Sequence, residues 1–185
     1  MHSQLSADEK ARIHAAIDAA EARTHVHVAV SIVPASDRYL LYPLVWSAVV
    51  ALAAGGALAF ARPHLALGEG FAVEAIIFVA LSFLLDWWPL RLLLVPRHIR
   101  ERHAQLLAHR EFAARVLASP ERKGGVLFFV SLGERYAEIL ADRDTHARVG
   151  AAQWDRIVAD YVDSAWRGHV ADGIIAAVAA CSTVL

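Results

Sequence analysis

The residues best suited to chemistry lie together at Asp142-Arg143-Asp144-Thr145-His146, directly after an apolar stretch. An aspartyl-phosphate enzyme carries Asp-x-Asp-x-Thr at the end of an apolar strand, where the first carboxylate attacks phosphorus. Here both carboxylates are correctly spaced, but His146 stands at the fifth position. Asp142 and Asp144 also offer oxygen ligands to a hard cation, calcium or magnesium. Asp37, which follows another strand-like segment, is the third candidate ligand. Calcium takes about six to eight oxygens, so carbonyls and water would have to complete the shell. The alternative is a solvated turn.

Other reactive side chains are less promising. Cys181 is the one cysteine, which excludes an intrachain disulfide. A cysteine phosphatase needs a thiolate above a phosphate-cradling loop ending in Arg. Cys181 lies instead in an apolar helical stretch and reads as a small core residue. His25 and His27 point the same way on a strand, as zinc ligands do, but no third ligand lies at local spacing. His98 and His109 align on one helix face while His103 points away. These read as surface or interfacial histidines. A net charge of −1 gives no global basic field, so nucleic acid is not an expected partner.

The elements that must position these groups flank a long apolar centre. Tyr39 to Ala61 contains no charged side chain. After the turn from Arg62 to Gly70, a second apolar stretch runs from Phe71 to Val95. A helix of about 20 apolar residues crosses a hydrocarbon core of roughly 30 Å. The pair therefore reads as a transmembrane hairpin; the rival is a buried hairpin in a soluble core. Tyr39, Tyr42 and Trp46 suit an interfacial belt, and Gly55-Gly56 permits close helix packing. Phe71 to Trp88 is the expected second span, with Glu74 and Asp86 near opposite interfaces. Pro89 to Val95 is expected along the interface, with Arg91 snorkelling. Arg38, Arg97, Arg100 and Arg102 flank the hairpin on the side of the termini, against Arg62 alone in the turn. The positive-inside bias then puts both termini in the cytoplasm. Residues Met1 to Arg23 are charged throughout and have no apolar core, so the hairpin itself is the expected insertion signal.

Around the hairpin the pattern is α/β. Ser6-Ala7-Asp8-Glu9 predicts a capping box and a helix ending near Glu21 to Arg23. Thr24 to Val33 alternates with period two, and its small, partly apolar second face suits a central strand covered on both sides. Ile99 to Ala118 predicts a charged helix broken at Ser119-Pro120, with a loop from Glu121 to Gly125. Val126 to Ser131 and Arg135 to Ala141 predict a strand hairpin turning at Gly133-Glu134. Trp154, Ile157, Val158, Tyr161, Val162 and Ala165 fit one helical face. Asp172 to Leu185 predicts a buried final helix.

In this order the residues resemble the TPM domain family. The resemblance is carried by Glu21-Ala22-Arg23-Thr24 before a strand. It continues in Gly125 opening an apolar strand, the return strand to Asp142, and the closing helices around Gly168 and Ala171-Asp172-Gly173-Ile174. It covers residues 5–33 and about 99–185. It implies a compact sandwich, a small mixed sheet flanked by helices, split by the hairpin. The expected parts are residues 1–38 and 97–185 for the TPM-like domain and 39–96 for the hairpin. The chain looks like a bacterial membrane subgroup of the family, in the inner membrane and multi-pass. The family's glycine-rich turn after the return strand is replaced by Ala141 to His146. The resemblance implies an accessory or assembly factor for another membrane protein. Its alternative is a membrane-tethered phosphatase dependent on a divalent cation. Expected partners are the lipid bilayer, another membrane protein and, as a homo-oligomer, further copies of the chain.

Overall fold

The computed structural model describes residues 5–24, 26–37, 39–64, 66–118 and 125–185. The expectations for His25, for Arg38 and for the break and loop at 119–124 lie outside these residues. The chain forms two compact units. One comprises Met1–Ser36 with Glu101–Leu185, the other Asp37–Arg100.

The first unit is built on a three-stranded sheet. Strand β2 (Gly125–Ser131) is central, parallel to β1 (His27–Val33) and antiparallel to β3 (Tyr136–Ala141). All seven residues of β2 are buried, as its uninterrupted apolar sequence requires. This corrects the central placement expected for β1, which is an edge strand. Both faces of the sheet are covered, so its small second face follows from a helix layer and not from a central position.

One face carries Val28, Val126, Phe128 and Val130. They pack with α1 (Ala7–Thr24), α7 (Ala151–Trp166) and α8 (Val170–Val184). Phe128 meets Tyr161 edge-on, with ring centroids 5.1 Å apart. The opposite face carries Ala29, Leu127 and Phe129 against Ala104 and Ala108 of α5 (Arg97–Phe112) and Val116 of the π-helical turn Ala113–Leu117. The π turn brings Val116 so close to β2 that a β-carbon on Gly125 would lie 2.3 Å from its Cγ1. That contact explains why a glycine opens the strand.

Local signals set the helix ends. The Glu9 amide donates to Ser6 Oγ at 3.1 Å, and the Ser6 amide donates to Glu9 Oε2 at 2.7 Å, forming the expected capping box. Those bonds to Ser6 hold the Glu9 carboxyl below its ordinary value. Helix α7 follows the predicted apolar periodicity through Trp154, Ile157 and Tyr161. Helix α8 buries Ala171, Ile174, Ala177, Val178 and Cys181 along one stripe.

The second unit contains α2 (Leu41–Ala61), α3 (Leu67–Leu85) and α4 (Trp88–Leu94), with α2 and α3 packed against each other. Both are long and apolar enough to cross a membrane, and none of Gly68–Leu85 is buried. Helix α3 starts at Leu67, earlier than the expected span, so Glu74 lies about 10 Å along its axis and away from its end. Gly55 of α2 makes room there, since a β-carbon on it would approach Glu74 Oε2 to 2.9 Å. At the other end, Asp86 closes α3. The Arg91 guanidinium folds back onto the Asp86 carboxylate and onto its carbonyl oxygen at 3.1 Å.

Candidate functional site

The group with the strongest claim to chemistry was Asp142, and its surroundings define what it does. Asp142 follows β3 and stands at the N-cap of α6 (Arg143–Val149). Oδ1 accepts from the amides of Asp144 and Thr145, each at 3.0 Å. Oδ2 accepts from the Thr145 hydroxyl at 2.6 Å and from the Gly125 amide at 2.8 Å. The Asp142 amide in turn donates to the Gly125 carbonyl at 3.0 Å. One side chain thus caps a helix and closes the open end of the β2–β3 ladder. Burial alone would raise the carboxyl, but the bonds from Thr145, Gly125 and Asp144 outweigh it and hold it below the ordinary value of 3.8.

A carboxylate with two donors on each oxygen has little left to offer a cation. The expected turn at residues 141–146 is instead the start of a helix. Aspartate, favoured at N-caps, supplies the signal for it. Asp144 is exposed in the first turn of α6, and Asp37 is exposed in the other unit. Among the described residues no group of three His, Cys, Asp or Glu side chains could hold a metal ion. Asp142 is thus bonded within the fold through both carboxylate oxygens, while Asp144 and Asp37 are exposed on separate elements.

The remaining reactive groups are equally engaged. Cys181 is 1% exposed, and burial pushes its thiol up to about 12, far from a thiolate at neutral pH. Burial also lifts Tyr161 to about 12. It raises Tyr136 as well, aided by its hydrogen bond to Glu138 at 2.9 Å. His98 and His109 are exposed. His27 Nδ1 lies 2.5 Å from Glu21 Oε1, which also accepts from the Val28 amide at 3.1 Å.

Two polar clusters fasten the elements together; the residues of the first stand in the sequence as part of the family resemblance, and the second was not read from the sequence. Glu21 and Thr24 tie the end of α1 to the start of β1. Thr24 Oγ1 donates to the Ala20 carbonyl at 2.9 Å and accepts from the Val26 amide at 3.4 Å. Their spacing of three at a helix end before an alternating strand was the available signal. The second cluster centres on Glu134, 7% exposed in the β2–β3 turn. Its carboxylate accepts from Ser131 Oγ, from the Ser36 amide at 2.8 Å and from Ser36 Oγ at 2.7 Å. Leu132 and Gly133 donate to the carbonyls of Val33 and Pro34, so this turn holds down the segment that leaves β1. A lone carboxylate between two apolar strands was the signal there. In the same turn Arg135, at φ 54°, stacks its guanidinium 4.4 Å from the Trp166 ring centroid.

A groove of about 460 Å³ runs between β3 and α7, lined by Ala137, Ile139, Ala141, Trp154 and Val158, with Asp155 among its polar residues.

These features define a helix-flanked mixed sheet with a pair of membrane-length helices encoded between β1 and β2. The family model of the TPM domain matches residues 89–184, more than half of the chain. The chain belongs to the TPM domain family. That match begins after α1 and β1, yet β1 pairs along its whole length with β2 and completes the sheet. The fold is also similar to the NMR structure of BA42 protein from the psychrophilic bacterium Bizionia argentinensis. The TM-score is 0.58 at 14% identity, over all of this chain and 83% of that one. No curated protein matches the chain in sequence.

Proposed function

We propose that the chain is a multi-pass protein of a bacterial inner membrane whose TPM domain serves another membrane protein as an accessory or assembly factor. Helices α2 and α3 form the transmembrane hairpin and both termini face the cytoplasm. The observation that carries this reading is the contrast between engaged polar groups and uncovered apolar ones. Phe60, Phe71 and Phe83 on α2 and α3 are 94%, 73% and 79% exposed. Surface of that kind is stable in lipid or against another apolar helix, and not in water. Asp142 is committed to a helix cap, Glu134 to a turn and the Cys181 thiol to the core. Basic residues at positions 97, 100 and 102 follow the hairpin, where anionic headgroups attract them by about 1 kcal/mol per charge.

The test is gentle detergent extraction at native expression, followed by identification of any protein recovered in stoichiometric amount. A specific membrane protein is the expected outcome. Recovery of the chain alone counts against the accessory role. A reporter on the C-terminus should behave as cytoplasmic; labelling of that terminus from outside intact cells overturns the topology.

A further inference from the structure

Strand β3 is an edge strand, and the register shows which of its backbone groups are open. The Asp142 amide bonds the Gly125 carbonyl, which makes 142 and 125 a hydrogen-bonded pair. Antiparallel pairs alternate, so Leu140, Glu138 and Tyr136 bond Leu127, Phe129 and Ser131. Ala137, Ile139 and Ala141 therefore turn their N–H and C=O groups away from β2, toward the free edge. Among the described residues no helix or loop bonds to them, and a row of this kind is a template for one more strand.

The groove beside α7 lies along the same edge. Ala137, Ile139, Ala141 and Val158 give it an apolar lining. Trp154, 3% exposed, also lines it, and its indole N–H has no acceptor among the described residues. The charged side chains of the lining are Glu138 and Asp155, with no Lys or Arg.

We propose that the β3 edge and this groove dock an extended segment of a partner protein carrying Lys or Arg, which adds as a fourth strand. Main-chain pairing to residues 137, 139 and 141 supplies the register. Alternate side chains enter the groove, and the carboxylates select a basic segment over an acidic one. The proposal rests on the reading of the TPM domain as a binding module, and names the face and the chemistry of what it binds.

The test uses the full chain in lipid nanodiscs and a blocked hexapeptide of alternating Val and Lys. The controls are its Val/Glu counterpart and a Val/Lys version with alternate amides N-methylated. Hydrogen exchange is read residue by residue. The Val/Lys peptide should slow exchange at Ala137, Ile139 and Ala141, leaving Tyr136, Glu138 and Leu140 unchanged. Binding should weaken about tenfold or more for each control, the loss expected from one or two good contacts. Equal binding of all three peptides, or no protection at the three amides, overturns the proposal. Ala137→Pro removes one outward N–H without touching the ladder to β2, a change tolerated on edge strands, and should abolish binding. Should that variant not fold, Asp155→Lys, at an exposed position of α7, must shift the preference toward the Val/Glu peptide. Stoichiometric recovery of a membrane partner undiminished by Asp155→Lys would sink the edge proposal and leave the accessory reading standing. Peptide docking with no partner ever recovered would do the reverse.

Discussion

In β2 seven consecutive residues are buried; in α3 eighteen consecutive residues, Gly68–Leu85, are not. Both segments are strongly apolar, so hydrophobicity alone does not separate them. Length and period do. Seven residues at about 3.3 Å each make a strand that two helix layers can cover completely. The helix is long enough for a bilayer core and, with Glu69 and Glu74 its only charged residues, has no continuous polar face to turn to water. The polar groups differ in the same way. In the sheet-centred unit, Glu21, Glu134 and Asp142 each bind backbone amides and fasten one element to the next. In the hairpin, Glu74 lies against Gly55, and Asp86 is bonded to Arg91. One unit hides its apolar surface from water, and the other carries two helices long and apolar enough to cross a membrane with that surface uncovered.

The sharpest way to break this contrast is to truncate one phenylalanine in each unit. Phe128 is fully buried against Tyr161, so Phe128→Ala should cost about 3–5 kcal/mol in chemical denaturation of the sheet-centred unit. Phe83 is 79% exposed, and Phe83→Ala should change that same transition by less than about 0.5 kcal/mol. A comparable loss from Phe83→Ala would mean that α3 is core and not membrane surface. Next in size is Glu134→Ala, which strands the Ser36 and Ser131 donors. Ser131 is buried and Ser36 half-buried, and an orphaned buried donor costs about 1–3 kcal/mol, so a fall of about 1–3 kcal/mol in the same transition is expected. A neutral result would show the turn to be dispensable to the sheet.

Asp142 sharpens the comparison through pH. Asp142→Ala should cost about 0.5–2 kcal/mol, the usual worth of an N-cap. Its carboxyl is held below 3.8 in the folded state, so the unfolded chain takes up the proton first. The stabilisation is therefore fully present above about 3.8 and is lost as pH falls through the folded value. Asp142→Asn should flatten that acid limb while leaving the slope near neutrality unchanged. An acid limb unaltered by the substitution would mean that other carboxylates carry it.

Much of this architecture was legible in the sequence. Period two, the capping box at Ser6 and Glu9, and the stripe from Trp154 to Ala165 are local patterns that local physics decides. The uncharged run from Tyr39 to Ala61 likewise fixed a helix of membrane length. What escaped reading depended on partners distant in the chain. Whether β1 is central or at an edge is decided by β2, which lies far along the chain, and the alternation within Thr24 to Val33 does not encode it. Asp142 looked like a ligand because a strand-end carboxylate is chemically identical in a metal site and at an N-cap. The difference is made by Gly125 and Thr145, one of them across the ladder. The start of α3 was missed for a smaller reason: the helix begins at Leu67, through Gly68, Glu69 and Gly70, where residue propensities favour a turn.

Asp144 gives the smallest expected effect and the cleanest discrimination. It lies two residues from Asp142 and was an equal candidate ligand, yet its carboxylate is exposed in the first turn of α6. There it can only complement the helix dipole, worth about 0.3 kcal/mol for a solvated group on so short a helix. Asp144→Asn should therefore shift thermal unfolding by less than Asp142→Asn does, and salt should erase the difference from wild type. Calcium or magnesium at millimolar levels should leave the unfolding temperature of both proteins unchanged, because a ligand stabilises only what it binds. A cation-dependent rise in wild type that disappears in Asp144→Asn would establish a metal site there. It would require Asp142 to release its amides to the ion, and α6 to fray as it does so.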